Sequence, residues 1–255
     1  MTAPLRIDRD GPDPDWPLLM LPGTLCDARV FAPMLAGMDR PILHADITTH
    51  DDANALARAL LATAPSRFIP VGFSLGAIVA LEMAVMAPDR IGAMVLIAAN
   101  GRDVPTADHP ARRAAAMLDP VALIDQLWPR SVAPHRLGDA RLRALITAMA
   151  RDASPGTLAR QTELALTRQD KRPHAPAMAM PTLILGGAQD QIAPPALQQE
   201  LAALMPRATL RIAPDAGHFL PLECPDFCAR AFAEWLAPAR IPSYHSLNSS
   251  HGGLS

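Results

Sequence analysis

The sequence predicts an α/β protein in which a mostly parallel central sheet carries helices on both faces. Short apolar segments with the length of strands alternate along the chain with longer segments that have helical spacing, and this alternation is typical of parallel sheets. The clearest strand segment is apolar at nearly every position, as strands buried on both faces are. With 255 residues, half of them hydrophobic, the chain can form one large domain with a sizeable core.

The predicted strands are short apolar runs bounded by turn-forming residues. Residues 17–21 run into a Pro-Gly turn, and residues 68–71 run directly into Gly72, where glycine and proline mark the end of a strand. Pro70 lies inside a strand that should be central, although proline cannot donate to a sheet ladder. We expect a bulge, or a place among the first residues of the strand, to absorb the missing bond. The predicted strands are 17–21, 41–44, 68–71, 93–98, 182–186 and 209–213.

Helical segments separate most of these strands. The predicted helices are 28–35, 51–62, 76–86, 195–204 and 225–236. Between residues 101 and 180 the strand signal stops, while helical spacings and prolines continue. We therefore predict an α/β core and a helical insertion, flanked by two disordered segments. The predicted boundaries are 16–100 and 181–237 for the core, 101–180 for the insertion, and 1–15 and 238–255 for the flanks.

The pentapeptide Gly72-Phe73-Ser74-Leu75-Gly76 lies between a predicted strand and a predicted helix. This is the setting of a G-x-S-x-G nucleophile elbow. A strand that reverses sharply into a helix leaves almost no room beside the serine, so both flanking positions need glycine. Ser74 would stand exposed at the carboxyl edge of the sheet, and the N–H of Leu75, at the start of the helix, would point toward negative charge nearby.

A serine nucleophile needs an imidazole that takes its proton and an acid that orients the imidazole. Downstream of Ser74, Asp190 follows a buried strand and a glycine turn, and His218 lies in the loop after the strand 209–213. The order Ser, Asp, His is the order that a nucleophile elbow of this kind requires. Asp103, just beyond Gly101, is the alternative acid, and we prefer Asp190 because it follows a strand as Ser74 and His218 do.

With these motifs the chain resembles esterase-type members of the α/β-hydrolase superfamily, such as carboxylesterases, enol-lactonases and carrier-protein methyl esterases. In these relatives a His-Gly-x loop after an early strand supplies a second oxyanion N–H from residue x. Pro22-Gly23-Thr24 occupies that place here. The resemblance therefore implies Thr24 as the second donor beside Leu75, with Leu25 as the fallback. Pro22 and Phe73 both stand where relatives usually have histidine.

The resemblance also implies that residues 101–180 form a helical cap over the nucleophile. A cap of this kind would choose the substrate. Its apolar side chains could line an acyl pocket, and they could equally form the core of the cap itself. The candidate substrate-contacting residues in the cap and beside the catalytic side chains are Phe73, Met117, Leu118, Leu123, Leu127, Trp128 and Phe219.

The predicted cap is more basic than the rest of the chain. It carries twelve Lys and Arg residues against eight Asp and Glu residues, although the whole chain has a net charge of −2. A basic surface over the site could attract an anionic substrate or an acidic carrier protein. The alternative is an ordinary solvated helical surface, because surface arginines commonly have no partner.

Composition argues against several other classes of protein. The slightly negative net charge and the 4% aromatic content argue against nucleic-acid binding. Three cysteines at unrelated spacings argue against a disulfide framework, and Cys224 and Cys228 lack a third and fourth zinc ligand nearby. The apolar stretch 68–88 is divided by polar residues, and residues 1–15 lack the apolar region of an export signal. We expect a cytoplasmic protein that does not bind membranes.

These observations predict a serine hydrolase that cleaves small carboxylic esters through an acyl-serine intermediate and needs no metal or organic cofactor. The same machinery would serve lactone or thioester hydrolysis, carbon–carbon bond cleavage, cofactor-free peroxidation or acyl transfer. A ligand receptor that keeps the fold and a triad-like pocket is the alternative that is not an enzyme.

Overall fold

The structure is a computed structural model, and it describes residues 16–236. The predictions of disorder for residues 1–15 and 238–255, and the end of the core segment at residue 237, lie outside the described residues. The strands are β1 (Leu18–Leu21), β2 (Ile42–His44), β3 (Ile69–Phe73), β4 (Met94–Ile97), β5 (Thr182–Gly187) and β6 (Ala208–Ala213). The helices are α1 (Ala53–Thr63), α2 (Leu75–Met86), α3 (His109–Ala115), α4 (Pro120–Ser131), α5 (Ala140–Asp152), α6 (Thr157–Thr167), α7 (Pro195–Leu204), α8 (Leu220–Glu223) and α9 (Pro225–Leu236).

The six strands form one sheet in the order β2-β1-β3-β4-β5-β6, and every pair between neighbouring strands is parallel. Each predicted strand has an observed counterpart whose ends differ by no more than two residues. The chain moves from β1 to one side of the sheet and then returns to β3 on the other side. Ligands of open α/β sheets bind at such a switch point, beyond the carboxyl ends of the strands.

Helices cover both faces of the sheet, as predicted. Along β4, Met94 and Leu96 pack with α1, α2 and α7 on one face. Val95 and Ile97 pack with α9 on the other face. Because successive side chains of a strand point to opposite faces, a strand covered on both sides must be apolar throughout. All four residues of β4 are fully buried.

Pro70 lies in β3, a central strand, and the sheet accommodates it with a change of register. Phe68 forms an isolated bridge with Ile91, whereas the regular ladder between β3 and β4 begins at Val71 and Val95. The chain that leads into β4 therefore has one more residue between these two pairs than the chain of β3 has. Backbone nitrogens point alternately to the two sides of a strand, and both Phe68 N and Ser74 N donate toward β4. The nitrogen of Pro70, two residues after Phe68, therefore faces the same side, where the bulge lies. Pro70 is also the second residue of β3, so the missing bond falls both beside a bulge and among the first residues of the strand.

One predicted helix is wrong. In place of a helix over 28–35, a 3₁₀ turn covers Ala28–Val30 and irregular turns follow it. Pro33 explains the difference, because proline disfavours helical backbone in the residue before it and lacks the N–H that a continuing helix needs. Asp27 caps the short turn by accepting the N–H of Arg29.

Between β4 and β5 the chain forms α3 to α6 without any strand. A buried ion pair connects the end of this helical insertion to the core: Lys171 Nζ lies 2.7 Å from Glu82 Oε1 on α2. Lys171 also donates its backbone N–H to Gly101 O at 2.7 Å, which brings the two ends of the insertion together.

No helix within residues 16–236 is long and apolar enough to cross a membrane.

Candidate active site

Ser74 occupies the sharp turn between β3 and α2. Its backbone has φ 52° and ψ −110°, a region that is unfavourable for any residue with a Cβ and that is kept where surrounding structure enforces it. A Cβ on Gly72 would lie 2.5 Å from Cα of Ala77, and a Cβ on Gly76 would overlap the carbonyl oxygen of Leu21. The predicted steric need for both glycines is therefore visible in the packing around the turn.

Two other predicted residues lie next to Ser74 in one chain of hydrogen bonds. His218 Nε2 lies 2.9 Å from Ser74 Oγ, and His218 Nδ1 lies 2.8 Å from Asp190 Oδ2. The other carboxylate oxygen of Asp190 accepts the backbone N–H groups of Ile192 and Ala193, each at 2.8 Å. Asp190 and His218 are buried.

The alternative acid, Asp103, is exposed. Among the described residues it makes no hydrogen bond or ion pair with His218. The geometry favours Asp190 as the partner of the histidine.

The loop that carries His218 is attached to the insertion. His218 donates its backbone N–H to Ser131 O at the end of α4, at 2.9 Å. Glu223 Oε2 accepts the N–H groups of Gly217, at 3.0 Å, and of Ala133, at 2.8 Å. Burial raises the pKa of Glu223 above its ordinary value of 4.5, although both N–H donors oppose the shift. The position of the imidazole thus depends on contacts between residues about 90 positions apart.

Two backbone N–H groups near Ser74 are unpaired. Among residues 16–236, no acceptor takes the N–H of Leu75 or of Thr24, and both residues line the same cavity as Ser74. Leu25, the fallback donor, differs because its N–H donates to Gln161 Oε1 at 2.9 Å. The geometry therefore favours Thr24 over Leu25 as a donor toward a bound anion.

A cavity of about 540 Å³ opens beside Ser74, between the carboxyl edge of the sheet and the insertion. Five of the candidate substrate-contacting residues line it, namely Phe73, Leu123, Leu127, Trp128 and Phe219. Trp128 is also buried, so it belongs to the core of the insertion as well as to the cavity wall.

The prediction for Met117 is wrong. Its side chain is 85% exposed, and neither it nor Leu118 is among the lining residues. Both lie in the turn between α3 and α4, and both are exposed there. An apolar side chain at a helix end can point to solvent, which its sequence position does not reveal.

Phe73 and Phe219 flank the imidazole. Their ring centroids lie 5.4 Å and 6.0 Å from the centroid of His218, in tilted and edge-on geometry. Phe73, the residue before Ser74, therefore packs against the ring of His218.

Sequence reasoning missed Gln161, which is buried in α6 and lines the cavity. A signal for it exists: Gln161 follows Leu158 by three residues and precedes Ala165 by four, on the apolar side of the helix. It also missed Arg112 and Arg168, which line the cavity. Nothing in the local pattern separates these two arginines from the others of the insertion.

Cys26 also lines the cavity, and burial is the main cause that raises the pKa of its thiol to about 12. A thiol of this kind stays protonated at neutral pH and is a poor nucleophile. Among the described residues, no group of three His, Cys, Asp or Glu side chains is arranged to hold a metal ion.

Comparison with known proteins agrees with this fold. Residues 11–231 match the model of the alpha/beta hydrolase family. Over 194 residues the chain is 31% identical to a pimeloyl-[acyl-carrier protein] methyl ester esterase of Chromobacterium violaceum, a match that covers 72% of this chain and 76% of the relative.

Two solved structures share the fold. An esterase from Thermogutta terrifontis superposes with a TM-score of 0.78 at 23% identity, over 88% of this chain and 90% of the other. The enol-lactonase from Burkholderia xenovorans LB400 superposes with a TM-score of 0.76 at 21% identity, over 88% and 92% of the two chains. From the family match and the curated relative, the chain belongs to the α/β-hydrolase family, as an esterase or a related hydrolase.

Proposed function

We propose that this protein is a serine hydrolase that cleaves carboxylic esters through a covalent acyl-serine intermediate. The observation that carries the proposal is the continuous chain of hydrogen bonds from Ser74 Oγ through His218 to the buried Asp190. In this proposal Ser74 is the nucleophile, His218 is the general base and Asp190 orients the imidazole.

In the first half of the reaction, Ser74 Oγ bonds to the carbonyl carbon of the ester while its proton passes to His218 Nε2. The carbonyl oxygen becomes an oxyanion, and the N–H groups of Leu75 and Thr24 donate to it. When the carbon–oxygen bond to the leaving group breaks, His218 gives its proton to the departing alcohol. The product of this half is acyl-Ser74.

In the second half, a water molecule takes the place of the alcohol. His218 removes a proton from water as its oxygen bonds to the acyl carbon, and the same proton then passes to Ser74 Oγ as the carboxylic acid leaves. Asp190 keeps its negative charge throughout and stabilises the imidazolium that forms twice. The two N–H bonds from Ile192 and Ala193 hold its other oxygen in place.

The helical insertion, residues 101–180, serves as the cap in this proposal and selects the substrate. Its residues supply a large part of the cavity wall, whereas Ser74, Asp190 and His218 belong to the core. All three cysteines are free, which suits a reducing compartment such as the cytoplasm.

Labelling with a fluorophosphonate tests the proposed chemistry directly. Intact-mass measurement should find one adduct on the wild-type protein and none on Ser74→Ala, and short p-nitrophenyl esters should be hydrolysed only by the wild type. An absence of both adduct and turnover in folded wild-type protein would favour a ligand receptor. A parallel series of lactones and acyl thioesters distinguishes esterase activity from the related hydrolyses.

A carrier-protein substrate is a second candidate. The relative from Chromobacterium violaceum is named as acting on a pimeloyl-[acyl-carrier protein] methyl ester, and the cap of this chain has an excess of basic residues. The test compares a methyl ester linked to an acyl-carrier protein with the same acyl methyl ester linked to free pantetheine. A carrier-protein substrate predicts a higher kcat/KM for the first ester at low salt and a loss of that advantage at high salt.

A further inference from the structure

We propose that Arg112 and Arg168 form an anion subsite in the cavity, and that the protein prefers esters whose acyl chain ends in a carboxylate or a phosphate. This inference rests on the proposed function, because it names the substrate class of the same site. The evidence comes from the position of the two side chains, from their partners and from the charges around them.

Arg112 and Arg168 lie close to the catalytic side chains. Arg112 belongs to α3 and Arg168 follows the last residue of α6 directly, and both side chains line the cavity that contains Ser74 and His218. The exposed ion pair between Arg113 and Glu163, at 2.7 Å, shows that α3 and α6 are neighbours at the surface. Arg112, which is exposed, and Arg168, which is half-buried, therefore reach the wall of one cavity from neighbouring parts of the insertion.

Arg112 and Arg168 differ from other arginines of the insertion in their partners. Several arginines of the insertion have carboxylate partners, namely Arg102, Arg113, Arg136, Arg143 and Arg172. Within residues 16–236, neither Arg112 nor Arg168 has a carboxylate oxygen within 4.0 Å. Arg168 Nε donates to Arg102 O at 2.8 Å, which holds the guanidinium in place and leaves its terminal nitrogens without a described acceptor.

The positive charges of Arg112 and Arg168 act on each other. Burial, and after it the charge of Arg112, lowers the pKa of Arg168 to about 10, while Asp103 opposes the shift. Arg168 remains charged at neutral pH, and its charge is close enough to that of Arg112 for the two to repel each other at the wall of one cavity. Asp108 also lines the cavity, but it forms no ion pair with either arginine.

A carboxylate or a phosphate is the ligand that this arrangement fits. Planar guanidinium groups bind both anions through paired N–H donors, and these charge-assisted bonds are stronger than neutral ones. An anion between the two arginines would also relieve their mutual repulsion. The apolar lining, which includes Leu123, Ile124 and Leu158, suits the methylene chain between the ester and the anion.

The experiment compares esters that differ only at the end of the acyl chain. The probes are p-nitrophenyl hexanoate, the p-nitrophenyl monoester of adipic acid, and the hexanoate ester with a terminal phosphate monoester. We expect the wild type to hydrolyse an anionic ester with a kcat/KM about tenfold or more above that of hexanoate, from the strength of a charge-assisted bond. The carboxylate and phosphate arms show which anion is preferred.

Variants test whether the two arginines cause the preference. Arg112→Met and Arg168→Met should each reduce the ratio of anionic to neutral kcat/KM about tenfold, and Arg168→Lys should keep part of it. Arg113→Met, on the same helix but paired with Glu163, is the matched control and should keep the ratio. The proposal is overturned if the wild type shows no preference, or if the preference survives in the double variant.

A binding measurement separates this proposal from the proposed function. Isothermal titration of wild-type protein and of Arg112→Met/Arg168→Met with adipate, and with hexanoate as the control, needs no turnover. If no ester is hydrolysed but wild type binds adipate and the double variant does not, the subsite stands and the esterase proposal fails. If esters are hydrolysed and adipate binds both proteins equally, the subsite fails alone.

Discussion

Gln161 Oε1 accepts the backbone N–H of Leu25 at 2.9 Å, and this bond joins helix α6 of the insertion to the loop after β1. Leu25 has a φ of 55°, in the left-handed region that a leucine seldom adopts. The Gln161 side chain is buried, and its Nε2 donates to Ile47 O at 3.5 Å. The insertion therefore helps to hold the strained loop that also carries Thr24.

We expect Gln161→Leu to reduce kcat about tenfold with little change in KM. The substitution leaves the N–H of Leu25 buried without an acceptor, and the adjoining N–H of Thr24 loses its fixed position. Direct loss of an oxyanion donor lowers kcat about 10²- to 10³-fold. The indirect effect of Gln161→Leu on kcat should therefore be smaller. Steady-state kinetics on a p-nitrophenyl ester measure the effect.

Glu163→Gln is the control for Gln161→Leu. Glu163 lies on the same helix as Gln161, and the substitution breaks only its partly exposed ion pair with Arg113. Because such pairs contribute little to stability, kcat should stay within about twofold of wild type. If Gln161→Leu kept the kcat of the wild type, Gln161 would have no role in positioning the N–H of Thr24.

We expect Gly76→Ala to prevent folding or to lower the free energy of unfolding by more than about 4 kcal/mol. The new Cβ would overlap the carbonyl oxygen of Leu21 in β1, and two packed backbone segments cannot separate without loss of the turn at Ser74. Gly138→Ala is the matched control, because a Cβ there meets no atom within 4 Å. Urea unfolding of both variants measures the difference, and equal midpoints would refute the steric argument.

We expect Lys171→Met to lower the free energy of unfolding by about 3–5 kcal/mol, because it leaves the buried carboxylate of Glu82 without its cation. Both side chains of the pair are only 5% exposed. The double variant Glu82→Leu/Lys171→Met should recover most of the loss, because an apolar pair can replace a buried ion pair. Urea unfolding of the single and double variants forms the test.

Asp125→Asn is the control for the buried pair. It breaks the ion pair with Arg143, in which both side chains are about half exposed, and it should cost less than about 1 kcal/mol. If Lys171→Met cost no more than this control, the buried pair would have no special role in joining the insertion to the core.

We expect Glu223 to reduce the stability of the protein as the pH rises. Because burial raises its pKa in the folded state, the folded protein holds this proton more tightly than the unfolded chain does. The stabilising contribution is complete below the ordinary pKa of 4.5 and is lost as the pH rises through the raised value. Thermal unfolding of wild type and Glu223→Gln from acid to neutral pH should show wild type losing stability relative to the variant. If wild type instead gained stability relative to Glu223→Gln as the pH rises, the pKa of Glu223 would be lowered in the folded state and not raised.

The sequence predicted well those features whose causes are local. The apolar runs of β3 and β4 predicted buried strands, because a strand covered on both faces needs apolar side chains at every position. Gly72 and Gly76 predicted the turn at Ser74, because only glycine fits so close to neighbouring backbone. For the helix expected over 28–35, Pro33 outweighed the apolar spacing.

The tertiary structure alone decided which distant residues meet. Gln161 and Leu25 are 136 positions apart, and Arg112 and Arg168 come together only because α3 packs beside α6. Met117 is 85% exposed in the turn between α3 and α4. By itself the sequence determined the fold class, and it predicted that Ser74, Asp190 and His218 lie together, since each follows a strand whose carboxyl end must reach one edge of a parallel sheet. The shape and charge of the cavity depend on how the helices of the insertion pack on that edge, and helix packing is set by side-chain contacts that no local pattern encodes.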